Sequence, residues 1–172
     1  YRREADGGVS HVDFARFVAA VSQDTLRYGV GVGWLRWVGP HWSPEPDESP
    51  AYNAMDAAAA LLLGATDQHP WAAASAQVLQ HARQRHLIAK ELSMQPDVRV
   101  QPADMDTHEH LLAFQNGIVD LRTGELQPHD PTLLQTQAAL VDYNPAAHHS
   151  GTRWARFLTE VHPDPEVRDY VQ

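Results

Sequence analysis

Cysteine is absent from the 172-residue chain, which removes disulfides, thiolate chemistry and cysteine-ligated zinc sites at once. Lysine is nearly absent. Lys90 is the sole lysine among 13 basic residues and sits in "IAKEL", so the chain holds no G-x-x-x-x-G-K-[S/T] loop to cradle a triphosphate. No serine occupies a G-x-S-x-G elbow, and none is paired by pattern with a histidine. No apolar run approaches the ~18–20 residues of a membrane span, and no secretory leader is visible. These absences fit a cytoplasmic protein without a membrane partner. Positive charge is also scarce: 13 Lys and Arg against 22 Asp and Glu give a net charge of −9. The imbalance is uneven, with 9 basic and 11 acidic side chains in 1–103 but 4 and 11 in 104–172. A dedicated nucleic-acid binder is usually basic, so strong autonomous DNA binding is not expected.

What is present reads as an α+β domain over 1–172, with helices packed around small antiparallel β-meanders. "HVDFARFVAAVS" (11–22) places Val12, Phe14, Phe17, Val18 and Val21 near one helical stripe. The region 26–42 is rich in strand formers broken by Gly29, Gly31, Gly33 and Gly39. The G-x-G-x-G run lacks the strand–turn–helix setting of a nucleotide loop and reads as hairpin glycine. "SPEPDESP" (43–50) is a linker, and 51–94 is helical. There one helix ends near Gly64, and a longer helix opens at Pro70 and runs to about Met94. The longer helix carries an apolar side of Trp71, Val78, Leu79, Ala82, Ala89 and Leu92.

"FQNGIVDLRTGELQPHDP" contains two turn signals, Asn116-Gly117 and Thr123-Gly124. They predict a three-stranded meander over 111–128, with Asn116 and Gly117 both at positive φ. Helices over 152–172 complete the chain: Thr152 caps the first, and Asp164 caps the second with Pro165 at its first position. Trp154, Phe157, Leu158 and Val161 fall at i, i+3, i+4 and i+7, a stripe that predicts burial of Trp154 and Phe157. The chain begins at Tyr1 without an initiator methionine and stops inside a helical pattern at Gln172, so it is expected to be a piece of something longer.

Few residue patterns carry chemistry. "HARQRHLIAK" (81–90) concentrates positive charge as Arg83, Arg85 and Lys90, with His86 sharing a face with Arg83 and with Lys90. A solvated helix surface is the ordinary reading of such a run, and a phosphate-contacting stripe is the sharper one. Of five tryptophans, Trp34, Trp37, Trp71 and Trp154 fit apolar stripes, whereas Trp42 beside the linker is the one expected to be exposed and able to stack on a base. Asp104 and Asp106 in "DMDTHEH" could bind the divalent metals of a priming site, or simply form an acidic loop. His148-His149 is a poor chelate, because adjacent side chains point apart.

"NGIVDLRTGELQPHDP", followed by "VDYNPAA" and "RWARFLTEVHPDPEVRDYVQ", resembles the module preceding the helicase core in phage and plasmid primase–helicases. This is the superfamily 3 group that includes the poxvirus primase–helicase. The matching residues are Asn116, Gly117, Asp120, Leu121, Thr123, Gly124, Glu125, Leu126, Pro128 and His129. Tyr143, Pro145 and Ala147 follow, and then Trp154, Phe157, Leu158 and Glu160. "FARFVAAVSQDTLRYGVGVGWLRWVGPHW" agrees more loosely with the opening of that module. Relatives often carry lysine after the threonine matched by Thr136, but this chain has Gln137, which puts any phosphate contact there in doubt.

The resemblance implies a non-catalytic module of a hexameric, ATP-driven DNA helicase that starts replication of a phage or plasmid in a bacterial cytoplasm. No cofactor is implied for the fragment; ATP and Mg would belong to the helicase domain of the same chain. Its partners would be that domain, further copies of itself and, weakly, DNA. The candidate DNA contacts are Arg83, Arg85, Lys90 and Trp42. Two rival readings stand beside this one: a metal-dependent primase or nucleotidyl-transfer domain around Asp104 and Asp106, and a free-standing protein-interaction domain of a mobile element.

Overall fold

Residues 10–146 and 153–171 are described by the computed structural model. The chain divides into two units, the second beginning at Tyr143. The Thr152 cap and the His148-His149 pair lie outside the described residues.

In the first unit, α1 (His11–Ser22) starts where the Ser10 hydroxyl accepts from the Asp13 N–H at 3.2 Å, satisfying one of the orphan donors of a helix start. Its buried face is Phe14, Ala15, Val18 and Ala19, while Val12 and Val21 are exposed, so the apolar stripe is narrower than the pattern alone suggests. Strands β1 (Leu26–Gly29) and β2 (Gly33–Trp37) pair antiparallel, and Gly29 opposite Gly33 closes their hairpin. The glycine run is therefore a turn. Strand β3 (Trp42–Pro44) adds to β2. The expected linker is partly ordered: Glu45 pairs with Arg36 at 2.9 Å, and α2 (Ser49–Gly64) begins within it.

Ala51, Ala54, Met55, Ala58, Ala59 and Leu62 of α2 are buried, and the small alanines let neighbouring helices approach closely. The long helix expected from Pro70 to Met94 is two. After α3 (Ala72–Gln80), His81 turns to an extended ψ of 118°, and α4 (Ala82–Leu92) starts. The His81 carbonyl accepts from Gln84 at 2.9 Å and Arg85 at 3.0 Å, opening the new helix. The break lets Leu79 of α3 and Ile88, Ala89 and Leu92 of α4 all reach the same core, which one straight rod would not allow. Strand β4 (Arg99–Val100) then joins β1 in parallel, giving the sheet order β3-β2-β1-β4.

The meander forms as β5 (Leu111–Phe114), β6 (Gly117–Asp120) and β7 (Glu125–Gln127), all antiparallel. Its first turn sits one residue earlier than Asn-Gly predicts. Phe114 pairs with Gly117, so Gln115 and Asn116 are the turn and neither has positive φ. Gly117 is needed for closeness: at φ 152° a Cβ there would lie 2.5 Å from the Gln127 carbonyl oxygen. Gly124, at φ 73°, makes the second reversal as expected, its N–H donating to the Asp120 carbonyl at 2.7 Å.

The second unit contains α5 (Arg153–Val161) and α6 (Pro165–Val171). Asp164 caps α6, its carboxylate accepting from the Glu166 N–H at 2.9 Å. Burial of Trp154 and Phe157 is not found: they are 51% and 49% exposed, and in their stripe Leu158 alone is buried. Helices of nine and seven residues are too little structure to cover a whole apolar stripe between them. No described helix is long and apolar enough to cross a membrane. The architecture is α+β.

Candidate nucleic-acid interface

The basic run falls on α4, whose inner face of Ile88, Ala89 and Leu92 fixes its rotation. That rotation separates three cations that look alike in sequence. Arg85 turns toward α2, pairing with Asp56 at 3.0 Å and donating to the Tyr52 carbonyl at 2.7 Å. Its guanidinium also lies 4.8 Å from the Tyr52 ring centroid, and its side chain is only 18% exposed. Arg85 is a structural clamp between α2 and α4. Arg83 and Lys90 are exposed and have no ion pair among the described residues.

Arg83, His86 and Lys90 are spaced i, i+3, i+7, which at about 100° per residue puts them on one stripe about 10 Å long. His86 is held from beneath. Its Nδ1 lies 3.4 Å from Oε2 of Glu48, and the same oxygen accepts the Tyr52 hydroxyl at 2.9 Å. Losing that proton would place two negative charges together, so the bond raises the Tyr52 hydroxyl above its ordinary pKa. On the other side, Gln84 hydrogen-bonds His11 and ties α4 to α1. The stripe therefore stands on a braced helix.

Trp42 is not exposed. It is 1% accessible, donates from Nε1 to the Pro131 carbonyl at 2.8 Å and packs against Trp37 with ring centroids 5.4 Å apart. The Arg27 guanidinium covers its ring at 4.9 Å. A base cannot stack on it. Proximity to a proline-rich linker suggested exposure, but the backbone of 131–135 returns over β3, with the Trp42 N–H donating to the Gln135 carbonyl at 2.8 Å. Trp71 is 50% exposed instead.

Asp104 and Asp106 do not converge. The Asp104 carboxylate accepts from the Gln101 N–H at 3.1 Å and closes a short 3-10 turn. Asp106 accepts from both the N–H and the hydroxyl of Thr136, the former at 2.7 Å. It holds a left-handed φ of 53°, facing Leu134 at 51°, whose carbonyl accepts the Asp106 N–H. Such a conformation costs roughly 1 kcal/mol or more for a non-glycine residue, and the Thr136 clasp holds it. Among the described residues, no three His, Asp or Glu side chains are gathered as metal ligands.

The polar groups of the meander shape it. Asp120 takes Arg122 through Nη2 at 2.6 Å, Nε at 3.0 Å and the backbone N–H at 2.9 Å, and these bonds hold its carboxyl at about 2. His129 contacts the Phe114 carbonyl through Nε2 at 2.8 Å.

Sequence reasoning missed a cleft beside the stripe. Tyr28, Trp34, Glu48, His86, Lys90 and Ser93 line a space of about 320 Å³ between sheet and helix. Glu48 lay in what looked like linker, and Tyr28 in a glycine-rich hairpin. The one available signal was the i, i+4 spacing of Glu48 and Tyr52 across the start of α2.

A family model described as D5 N terminal like matches residues 15–163. Among curated proteins, no match to the chain is found.

Proposed function

The chain belongs to the D5 N-terminal-like family, the N-terminal module of phage and viral primase–helicase-type proteins, and from that premise we propose that it assembles and positions DNA for a replicative helicase without itself catalysing a reaction. The observation that carries this reading is the Arg83–His86–Lys90 stripe, with two cations that have no ion pair among the described residues on a helix whose third cation is locked inward. Two phosphate contacts give weak, salt-sensitive binding, which suits a module that guides a strand gripped elsewhere. The half-exposed, stacked Trp154–Phe157 pair, with centroids 5.5 Å apart, supports the assembly half of the reading. In it the partners are a helicase domain, which would supply ATP and Mg chemistry, and further copies forming a hexamer in a bacterial cytoplasm. Asp104 and Asp106 are engaged by their own backbone surroundings, which favours this reading over a nucleotidyl-transfer site built on them.

The test is fluorescence anisotropy of a labelled thymidine strand at about 50 and about 200 mM salt, with affinity expected to be micromolar or weaker and to fall steeply with salt. Arg83→Ala combined with Lys90→Ala should abolish most of it. Tight, salt-insensitive binding would overturn the reading. Primer synthesis lost in Asp106→Asn would move the function to the nucleotidyl-transfer class.

A further inference from the structure

The cleft beside the stripe has chemistry that phosphate contacts do not use. Tyr28 is half-buried and stands edge-on to the buried Trp34, with ring centroids 5.0 Å apart at 74°. The Tyr28 ring is thus braced, and it lines the cleft while remaining partly exposed. In the same cleft, Glu48 is oriented by two bonds that both fall on Oε2, from the Tyr52 hydroxyl at 2.9 Å and His86 Nδ1 at 3.4 Å. Oε1 has no partner among the described residues. Lys90 stands at the rim, also without an ion pair among those residues. The volume of about 320 Å³ is at the lower end of what small-molecule pockets occupy.

A phosphate inside this cleft would face the Glu48 carboxylate and be repelled. A flat, neutral ring would not. It could lie against Tyr28, present an N–H edge to Oε1 and leave its phosphate to Lys90. We propose that the cleft takes one unpaired nucleobase of a single strand, with Tyr28 as the stacking face, Glu48 Oε1 as acceptor for a base N–H donor edge and Lys90 on the adjoining phosphate.

This rests on the DNA-positioning reading and adds base preference to it. Guanine is the preferred base, since its N1–H and N2 amine present adjacent donors. Thymine is disfavoured, since its single N3–H lies between two carbonyl oxygens that would face the carboxylate.

The experiment uses the 172-residue chain and labelled strands of about 15 nucleotides, a length spanning common single-strand site sizes. One strand is all thymidine, one has guanine at every third position, and one has inosine there. Wild type should bind the guanine strand about tenfold more tightly than the thymidine strand, the size of effect a well-placed donor–acceptor pair gives. Inosine, which lacks the N2 amine, should fall between them.

Glu48→Gln should erase that preference, with the thymidine strand bound no more weakly than by wild type, since the repelling carboxylate is gone. With the Tyr52 hydroxyl holding the amide oxygen, the amide nitrogen would occupy the position of Oε1 and present a donor to donors. Lys90→Ala should weaken all three strands alike and reduce the salt slope by about 1. The inosine arm uses only the wild-type protein, so it reads the site even if a variant misfolds. Equal affinity for guanine and thymidine strands, or a guanine preference surviving in Glu48→Gln, would overturn the cleft assignment. Salt-dependent thymidine binding that is lost in Arg83→Ala would, in that case, leave the positioning function standing. Binding to none of the strands would overturn both.

Discussion

Helices α4 and α5 are near in length, eleven and nine residues, and they had opposite fates. In sequence α5 has the cleaner apolar stripe, yet Trp154, Phe157 and Val161 are each about half exposed. The charged, uneven run of α4 lies against the core with Ile88, Ala89 and Leu92 essentially inaccessible. Periodicity measures the contrast between two faces of a helix. It does not report whether anything is there to cover the apolar one. For α4 the cover is α1, α2 and α3, folded from the same unit; among the described residues of its own unit, α5 has only α6 as a helical neighbour.

The contrast breaks or holds on mutation. Leu92→Ala should have the largest effect, destabilising the first unit by about 2–5 kcal/mol as expected for a buried leucine. Thermal or urea unfolding would read it, and a loss under about 1 kcal/mol would mean that α4 is no more firmly packed than α5. Arg85→Ala comes next at about 1–3 kcal/mol, since it strips hydrogen bonds from Asp56 and the Tyr52 carbonyl. Arg83→Ala should leave the same melt unmoved, which separates the clamp from the stripe. Trp154→Ala should cost least, about 1 kcal/mol or less in the isolated chain. A collapse in melting temperature there would show that the stripe of α5 is covered after all and would erase the difference between the two helices.

The element pattern was readable because turn glycines, prolines and helical spacing act locally. Gly124 and Asp164 do what their neighbours in sequence require, and the meander follows. What could not be read depended on distant chain segments. Trp42 is buried because 131–135 crosses it, and Arg85 differs from Arg83 because Asp56 and Tyr52 stand on one side of α4. The break at His81 follows from the need of Leu79 and Leu92 to meet one core, which no local propensity encodes. For the candidate interface, the basic cluster was legible as a cluster. Its division into one inward clamp and two exposed cations was not, and Glu48 had no cue beyond its spacing to Tyr52.

The parallel pairing of β4 with β1 carries a consequence for the order in which the first unit folds. Tyr28 pairs with Arg99, residues about 70 positions apart, whereas β1, β2 and β3 join through short turns. Closing so long a loop from a disordered chain is entropically costly, and helix formation in α2, α3 and α4 shortens the span that remains. The fourth strand is therefore expected to join its sheet last, sealing the helices into the loop it closes. Pulse-labelled hydrogen exchange during refolding should find the Tyr28 and Val30 amides, which donate to Val98 and Val100, protected later than those between β2 and β3. Simultaneous protection would mean that this long-range seam nucleates the unit instead of finishing it.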